Sequence, residues 1–391
     1  MSSRGDRRRG AGEADRDIAV DAGELFRGAA GHHEAGRLDL AEPLYRQLLA
    51  RDPDHIAGLH SLGILALQTG RNRVAIELLG RLVALNGSLP EPHYNLALAL
   101  QAEGREREAI DHYRRAVALK PDYTAAHMNL GNALVQQGSL EDAGRCYARV
   151  LVIEPRSAIA HYNVANVLAR QRRFADAEAS YRAAIACQPG FAEAFNNLGN
   201  VLKAQGRLAE AEEACRRALG LKPDYAEAHN NLGILMSADG ASAAALRQFG
   251  DAVRLAPGFV DARNNLGLAL SRAGEPEAAI REFKAVLALR PSDLEATHHL
   301  ARELLALGQV DDATKLLTRA LDDSTAETRS LLALCLQSLP LDDLESQRSL
   351  VARALSEGWA RGGELEHVGI ALVKRTAGMS ACVAKLDAAA V

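Results

Sequence analysis

The sequence predicts an all-α solenoid of about nine helix-turn-helix repeats, each 34 residues long. Three observations support this fold: prolines recur at intervals of 34 residues or multiples of 34, a glycine recurs between them, and an alanine follows each glycine at a constant distance. A fixed period of roughly 20 to 50 residues is typical of stacked repeat arrays. The period is marked by Pro53, Gly87 in the place of proline, Pro121, Pro155, Pro189, Pro223, Pro257 and Pro291. Counted from Ala22, repeats 1 to 9 span 22–55, 56–89, 90–123, 124–157, 158–191, 192–225, 226–259, 260–293 and 294–327.

The composition excludes several classes of protein. Of the 391 residues, 48% are hydrophobic, 25% are charged and 4% are aromatic, and the formal net charge is -4. These values favour a folded chain over a disordered one and disfavour a strongly basic nucleic-acid binder. No uncharged apolar stretch approaches the roughly 18 residues that span a bilayer. We therefore expect neither a nucleic acid nor a membrane as a partner.

Residues 1–21 contain five arginines and five acidic residues, and no apolar segment follows them. This pattern predicts a flexible, solvated tail and not a signal peptide.

The cysteines are scattered singly, with no CxxC pair. This spacing suits neither a disulfide framework nor a zinc site, so we expect a cytoplasmic protein without metal or other cofactor. The five cysteines are Cys146, Cys187, Cys215, Cys335 and Cys382.

Each repeat carries the pattern of two amphipathic helices. In the first helix, apolar residues such as Ala126, Leu130 and Leu134 recur on one face. Glycine then ends the helix, except in repeat 5, where Arg172 takes its place. In the second helix one position is alanine in all nine repeats, which predicts the close crossing of another helix. These alanines are Ala41, Ala75, Ala109, Ala143, Ala177, Ala211, Ala245, Ala279 and Ala313, and most are followed four residues later by a ring: Tyr45, Tyr113, Tyr147, Tyr181, Phe249 and Phe283.

These positions closely resemble the tetratricopeptide repeat (TPR) family over residues 22–327, as in NLGNALVQQGSLEDAGRCYARVLVIEP. The resemblance implies that the helix pairs wind into a right-handed superhelix with a concave groove lined by the first helices. It also implies a scaffold for protein contacts that is not itself an enzyme.

One polar position recurs as regularly as the core positions do. We call the six asparagines at this position the asparagine ladder. Asparagine is a poor helix residue, less favourable than alanine by roughly 0.5 kcal/mol, and outward positions of the same repeats have diverged, so the row has been retained for a reason. The ladder consists of Asn95, Asn129, Asn163, Asn197, Asn231 and Asn265, and Ser61 and His299 take its place in repeats 2 and 9.

The ladder has two explanations. The amides could stabilise the scaffold by hydrogen-bonding to neighbouring helices, or they could bind a peptide backbone, to which a carboxamide offers both donors and an acceptor. The second explanation is supported by a resemblance to the repeat arrays of O-GlcNAc transferases, in which such asparagines grip substrate polypeptides. Six neighbouring amides extend the predicted peptide-binding surface: Asn196, Asn230, Asn264, Asn132, Asn166 and Asn200.

Four first helices begin with an acidic residue, which would line one edge of the groove and predicts a weak preference for basic ligands. The four residues are Glu193, Glu227, Asp261 and Glu295. Lysines and arginines of a two-carboxylate clamp, as in chaperone-binding repeats, are largely missing from the inward positions, so a chaperone-tail adaptor is disfavoured.

Histidines occupy one position in four repeats: His93, His127, His161 and His229. Equivalent positions of stacked repeats are separated by about 8 to 10 Å, too far apart to share one ion, so we expect these histidines to pack. No motif for a catalytic nucleophile or a phosphate-binding loop occurs, and no catalytic residue is predicted.

The two ends depart from the period. Repeat 1 has Arg27 at the ladder position and Gly28 next to it, which predicts an N-terminal cap. Residues 328–391 are predicted to form a C-terminal helical cap and tail, with Trp359 buried against the last repeat. This segment weakly resembles the linker after repeat arrays in some bacterial methyltransferases and glycosyltransferases, and it is too short for either catalytic domain.

The leading hypothesis is therefore a non-enzymatic cytoplasmic scaffold that binds a protein or peptide in its groove. The rival is the substrate-recognition arm of an O-GlcNAc-transferase-like glycosyltransferase or of a methyltransferase whose catalytic domain is not in this chain. The oligomeric state and the identity of the ligand stay open.

Overall fold

A computed structural model describes residues 21–238, 242–321, 325–339, 347–359 and 368. Within these ranges the protein has twenty α-helices and no strand, which confirms the predicted all-α repeat fold. Residues 1–20 of the predicted tail lie outside them, as do 340–346, 360–367 and 369–391 of the predicted C-terminal cap and tail. In chain order the helices are α1 (Ala22–Glu34), α2 (Leu38–Arg51), α3 (Ile56–Gln68), α4 (Asn72–Leu85), α5 (Pro90–Ala102), α6 (Glu106–Leu119), α7 (Thr124–Gln137), α8 (Leu140–Ile153), α9 (Ala158–Arg170), α10 (Phe174–Cys187), α11 (Ala192–Ala204), α12 (Leu208–Leu221), α13 (Ala226–Ala238), α14 (Ser242–Leu255), α15 (Val260–Arg272), α16 (Pro276–Leu289), α17 (Leu294–Ala306), α18 (Val310–Arg319), α19 (Ala326–Ser338) and α20 (Arg348–Glu357).

The chain divides into two compact bodies, an N-terminal body (Met1–Pro189) and a C-terminal body (Gly190–Val391). The N-terminal body contains α1 to α10 and the C-terminal body α11 to α20. Within each body, the two helices of a repeat pack against each other, and the second helix packs against the first helix of the next repeat. First helices of successive repeats also touch, as α3 touches α5 and α11 touches α13.

The turn inside a repeat needs a residue with a left-handed backbone. Gly138 has this conformation after α7, with φ of 86°, and glycine adopts it without the steric penalty that a Cβ brings. In repeat 5 the same turn is made by Arg172, with φ of 62°, which among the described residues is the one non-glycine residue with positive φ. The turn therefore keeps its geometry even where the glycine is missing.

The two helices of a repeat pack closely where a small residue of one helix faces an aromatic ring of the other. All nine recurring alanines of the second helices are fully buried. On the first helix of repeat 4, Gly131 faces the ring of Tyr147, and a methyl group on this glycine would lie 2.5 Å from Cε1 of the tyrosine. Gly267 faces Phe283 in the same way, at 2.6 Å. Because real Cβ atoms do not approach so closely, any residue other than glycine at these two positions would force the ring to shift.

The C-terminal body ends in an apolar cluster. Trp359 is 5% exposed and belongs to a buried cluster that includes Leu317 of repeat 9, Leu336 of α19 and Leu350 of α20. Its indole Nε1 donates a hydrogen bond to Glu357 at 2.7 Å. The predicted burial of this tryptophan is confirmed.

In the described part of the chain, no helix combines the length and the apolar character needed to cross a membrane.

Candidate functional site: the amide face of the first helices

The ladder asparagines connect successive repeats. In the N-terminal body, each Nδ2 donates a hydrogen bond to the residue 35 positions earlier, which directly precedes the ladder position of the preceding repeat. The acceptors are His60 Nε2 for Asn95 at 3.1 Å, Tyr94 Oη for Asn129 at 3.1 Å and Met128 Sδ for Asn163 at 3.2 Å. The acceptor therefore differs from repeat to repeat, whereas the donor is the ladder amide in each of them.

In the C-terminal body the acceptor is itself an asparagine. Asn231 donates to Asn196 Oδ1 at 2.9 Å, and Asn265 donates to Asn230 Oδ1 at 2.9 Å. The side chain of Asn196 also donates to Asn197 at 3.3 Å. Asn196 is 3% and Asn230 is 6% exposed, so both are buried. These two predicted peptide-binding residues are therefore buried in the structure, and each accepts a hydrogen bond from a ladder asparagine.

The hydrogen-bonded row ends at repeat 9. Here His299 stands at the ladder position, stacks on Phe283 with ring centroids 5.4 Å apart, and contacts Glu295 at 3.7 Å. Within the described residues, Asn264 Oδ1 is buried and has no hydrogen-bond partner. The missing donor is the one that an asparagine at position 299 would supply.

A second row of amides supports the buried tyrosines. Asn132 Oδ1 accepts the hydroxyl proton of Tyr147 at 2.7 Å, and Asn166 Oδ1 accepts that of Tyr181 at 2.5 Å. Burial raises the pKa of Tyr147 to about 12, so its hydroxyl stays a donor at neutral pH. Asn200 lies at the equivalent position of repeat 6, where Cys215 replaces the tyrosine.

A cavity of about 310 Å³ in the N-terminal body brings three of the predicted site residues together. Asn132 of α7 and Asn163 and Asn166 of α9 line it, with Asn132 exposed and the other two half-buried. The cavity thus lies on the face shared by the first helices of two successive repeats. Its other lining residues are Val135, Gln136, Tyr147, Val167 and Arg170. The other nine ladder and neighbouring asparagines do not line it: Asn95, Asn129, Asn196, Asn197, Asn200, Asn230, Asn231, Asn264 and Asn265.

Sequence reasoning did not single out Gln136 and Arg170. They occupy one position of repeats 4 and 5, 34 residues apart, near the ends of α7 and α9. Arg170 Nη1 lies 3.4 Å from the carbonyl oxygen of Val135 in the preceding first helix. The sequence could have indicated them as the polar residues four positions after Asn132 and Asn166, which places them one helical turn further along the same face.

The predicted acidic edge carries its own counter-charges. Glu193 lies 3.5 Å from Lys222, and Asp261 lies 3.8 Å from Arg290. In both pairs the cation directly follows the second helix of the same repeat. These exposed ion pairs are weak. They nevertheless offset part of the negative charge that would attract a basic ligand.

The recurring histidines bind the turns between repeats. The ring Nε2 of each lies within hydrogen-bond distance of a carbonyl oxygen six residues earlier: Gly87 for His93, Pro121 for His127, Pro155 for His161 and Pro223 for His229. In repeat 3, Nδ1 of His93 also lies 2.9 Å from Nδ1 of His112 on α6. Burial lowers the pKa of both rings, and the carbonyl of Gly87 partly offsets this for His93. In the described residues, no three histidine, cysteine or acidic side chains are grouped so that they could hold a metal ion.

The fold and the site define a stack of helix pairs whose first helices present polar side chains on a common face. Sequence profiles of the tetratricopeptide repeat match residues 32–90, 128–192, 162–226, 196–258, 231–293 and 270–335, and a TPR repeat profile matches 102–138. The matches cover more than half of the chain, which therefore belongs to the tetratricopeptide repeat family.

Solved structures of the same architecture are similar to this chain. The APC/C hetero-tetramer Cut9-Hcn1 matches with a TM-score of 0.51 and 15% identity, covering 74% of this chain and 57% of that one. YrrB, a TPR protein with an unusual peptide-binding site, covers 48% of this chain and 96% of its own, with 24% identity and a TM-score of 0.38. PilF of Pseudomonas aeruginosa covers 52% of this chain and 94% of its own, with 23% identity and a TM-score of 0.48. At these identities the likeness concerns the fold alone. The comparison with curated proteins gave no match.

Proposed function

We propose that this protein is a non-catalytic scaffold that binds an extended polypeptide along the amide face of its first helices. The observation that carries the proposal is the cavity between α7 and α9, where Asn132, Asn163 and Asn166 of two successive repeats converge. A polypeptide backbone offers alternating N–H donors and carbonyl acceptors, and carboxamides can pair with both.

Hydrogen bonding within the scaffold leaves these amides with capacity for a ligand. Asn163 uses one N–H on Met128, and a carboxamide has a second N–H and two lone pairs on its oxygen. Asn132 accepts one proton from Tyr147 and keeps both of its N–H groups. The scaffold contacts also orient the amides in advance, which lowers the entropy lost when a ligand binds.

This arrangement unites the two explanations of the ladder. The amide nitrogen ties one repeat to the preceding one, and the rest of the group faces the ligand. A simple change of a ladder asparagine to alanine is therefore a poor test of binding, because it also leaves a neighbouring side chain without its partner.

The chain itself offers a cleaner variant. In repeat 8 the positions of Asn132 and Tyr147 are Leu268 and Phe283, which pack without this hydrogen bond. We would introduce the same pair as N132L with Y147F, and likewise N166L with Y181F, so that both partners of each hydrogen bond are removed together. The comparison variant is Q101L with Y113F, which removes another tyrosine–amide hydrogen bond, of 2.9 Å, that is made from a different helix position and lies outside the cavity.

The measurement is fluorescence anisotropy with a set of labelled, unstructured peptides of differing sequence. We expect the combined cavity variant to bind them at least about tenfold more weakly, since two amides that face the ligand are lost, and the comparison variant to bind as the wild type does. Circular dichroism should show the same helix content in all three proteins. Unchanged peptide binding by a folded cavity variant would overturn the proposal.

A further inference from the structure

We propose that another cavity of the N-terminal body binds a phenol, that is, an aromatic ring that carries a hydroxyl group, and that His127 accepts the hydroxyl proton. The cavity has a volume of about 320 Å³ and is lined by side chains of α6, α7 and α8. Its lining residues on α7 are His127, Leu130 and Leu134, and none of these lines the cavity of the amide face. The inference therefore goes beyond the proposed function.

A contact that recurs between the two helices of a repeat is missing at this cavity. In repeats 3 and 7 the recurring histidine contacts the residue 19 positions later. Nδ1 of His93 lies 2.9 Å from His112, and Nδ1 of His229 lies 2.8 Å from Gln248. In repeat 4 the equivalent position is Cys146, which has a shorter side chain and lines the cavity.

His127 therefore keeps a hydrogen-bond acceptor that is not used. Its Nε2 donates to the carbonyl oxygen of Pro121 at 3.1 Å, so Nδ1 carries the lone pair. Among the described residues, this Nδ1 is buried and has no hydrogen-bond partner. Burial lowers the pKa of the ring, which stays neutral at neutral pH and remains an acceptor. A ligand that takes the place of the missing side chain has to bring a donor, which disfavours an anionic oxygen.

The walls of the cavity favour an aromatic ring. Val117, Leu130 and Leu134 supply apolar contacts. Burial raises the pKa of the Cys146 thiol to about 11, with a smaller contribution from the charge of Asp142. The sulfur is therefore uncharged at neutral pH, and a neutral sulfur packs well against the edge of a ring.

Two exposed guanidinium groups favour the same class of ligand. Arg114 and Arg145 both line the cavity. Each forms an ion pair on its own helix, Arg114 with Asp111 at 3.5 Å and Arg145 with Asp142, which offsets part of its charge. Guanidinium groups stack on the faces of aromatic rings. A phenol combines such a face with a hydroxyl donor, whereas an aliphatic alcohol lacks the face.

The size of the cavity suits a single ring. Its volume of about 320 Å³ lies at the lower end of the roughly 300 to 1,000 Å³ of small-molecule sites. The phenol group has two chemically equivalent sources, a free small molecule and the tyrosine side chain of a partner protein.

The test uses the full chain and four small probes. 4-Methylphenol and toluene share a ring, but only 4-methylphenol can donate a hydroxyl proton. N-acetyltyrosinamide and N-acetylphenylalaninamide repeat this comparison with a peptide backbone attached. Dissociation constants are measured by ligand-observed NMR titration.

Three variants accompany the wild type. H127F copies Phe195, the equivalent residue of repeat 6, and removes the acceptor. C146Q copies Gln248 of repeat 7 and fills the cavity with a side chain that can pair with His127. The control H161F removes the equivalent histidine of repeat 5, which does not line the cavity. Circular dichroism should show the same helix content in all four proteins.

We expect the wild type to bind 4-methylphenol about fivefold more tightly than toluene, which is the contribution of one hydrogen bond. H127F should lose this preference, and H161F should retain it. C146Q should bind 4-methylphenol at least about tenfold more weakly than the wild type, because its own side chain occupies the site.

The amino-acid amides distinguish the two sources. A matching preference for N-acetyltyrosinamide over N-acetylphenylalaninamide identifies a tyrosine of a partner protein, and its absence identifies a free phenol. The proposal is overturned if the wild type binds toluene as tightly as 4-methylphenol, if the preference survives in H127F, or if C146Q binds 4-methylphenol as the wild type does.

Discussion

Asn265 donates a hydrogen bond of 2.9 Å to Oδ1 of Asn230, which lies in the preceding repeat and is 6% exposed. One asparagine is thus half-buried on the common face, and the other is buried beneath it. The same relationship joins Asn231 to Asn196. Because a repeat array is stabilised by the interfaces between neighbours, these bonds contribute to the coupling of adjacent repeats.

The first prediction concerns this coupling. Changing Asn265 to alanine leaves the buried oxygen of Asn230 without a donor, and a buried polar atom that loses its partner destabilises a protein by about 1 to 3 kcal/mol. We expect the urea midpoint of N265A to fall accordingly. N200A is the matched control, since within the described residues Asn200 makes no hydrogen bond through its side chain. An equal midpoint shift in both variants would show that the hydrogen bond is not the cause.

The second prediction extends the ladder by one step. An asparagine at position 299 would place its amide where it can donate to the unpaired Oδ1 of Asn264. Both H299N and H299A lose the stacking on Phe283, so their difference is the contribution of the new hydrogen bond less the roughly 0.5 kcal/mol by which asparagine is the poorer helix residue. We expect H299N to be more stable than H299A by about 1 kcal/mol.

A double-mutant cycle checks this assignment. In the background N264A the advantage of H299N over H299A should disappear, because the acceptor is gone. If H299N is still the more stable variant there, its advantage does not come from a hydrogen bond to Asn264.

The third prediction concerns the turn of repeat 5. Arg172 is exposed and has φ of 62°, a conformation that is strained for a residue with a Cβ. We expect R172G to raise the free energy of unfolding by about 0.5 to 1 kcal/mol, the relief of strain being partly offset by the greater freedom of glycine in the unfolded chain.

The reciprocal change provides the control. Gly138 holds the equivalent position of repeat 4, and no atom lies within 4 Å of a Cβ placed there. G138R should therefore destabilise the protein by a similar amount through the backbone alone, as measured by the urea midpoint. A stabilising G138R, or a destabilising R172G, would contradict the argument.

The helices and the atomic contacts of the site differ in how far sequence predicts them. The first helices begin at residues 56, 90, 124 and 158, where the period places a new repeat, because periodicity reports local amphipathic structure directly. The burial of Trp359 was predicted separately, from the helical segments that follow the last repeat. The sequence did not predict the hydrogen-bond acceptor of each ladder amide. The offset of 35 residues depends on how two first helices cross, and no local sequence pattern encodes that crossing.

Arg170 was missed for a different reason. A search for recurring residues finds positions that repeat, and arginine stands at this position only in repeats 5 and 8, as Arg170 and Arg272. The feature that singles it out is the cavity formed with α7, which exists only after the repeats have stacked.

The fourth prediction concerns the histidine pair of repeat 3. His93 Nε2 donates to the carbonyl of Gly87, so its Nδ1 accepts from Nδ1 of His112 at 2.9 Å. Protonation of His93 would bring two N–H groups face to face. Burial lowers the pKa of both rings in the folded protein, whereas the unfolded chain has the ordinary histidine pKa of about 6.5.

The sign of the pH effect follows from this difference. Between the folded and unfolded pKa values, the unfolded chain binds more protons, so stability is complete above about pH 6.5 and decreases as the pH falls below it. In repeat 7 the position of His112 is Gln248, which lies 2.8 Å from Nδ1 of His229. In that contact the glutamine atom is Oε1. H112Q replaces the ring of His112 with an amide that does not titrate and that can turn either its Nε2 or its Oε1 toward His93. We expect the melting temperature of H112Q to fall less between pH 7.5 and pH 5.5 than that of the wild type. Some loss should remain, since burial also lowers the pKa of His60 and His127. If both proteins lose the same number of degrees, the pair does not contribute to the pH dependence.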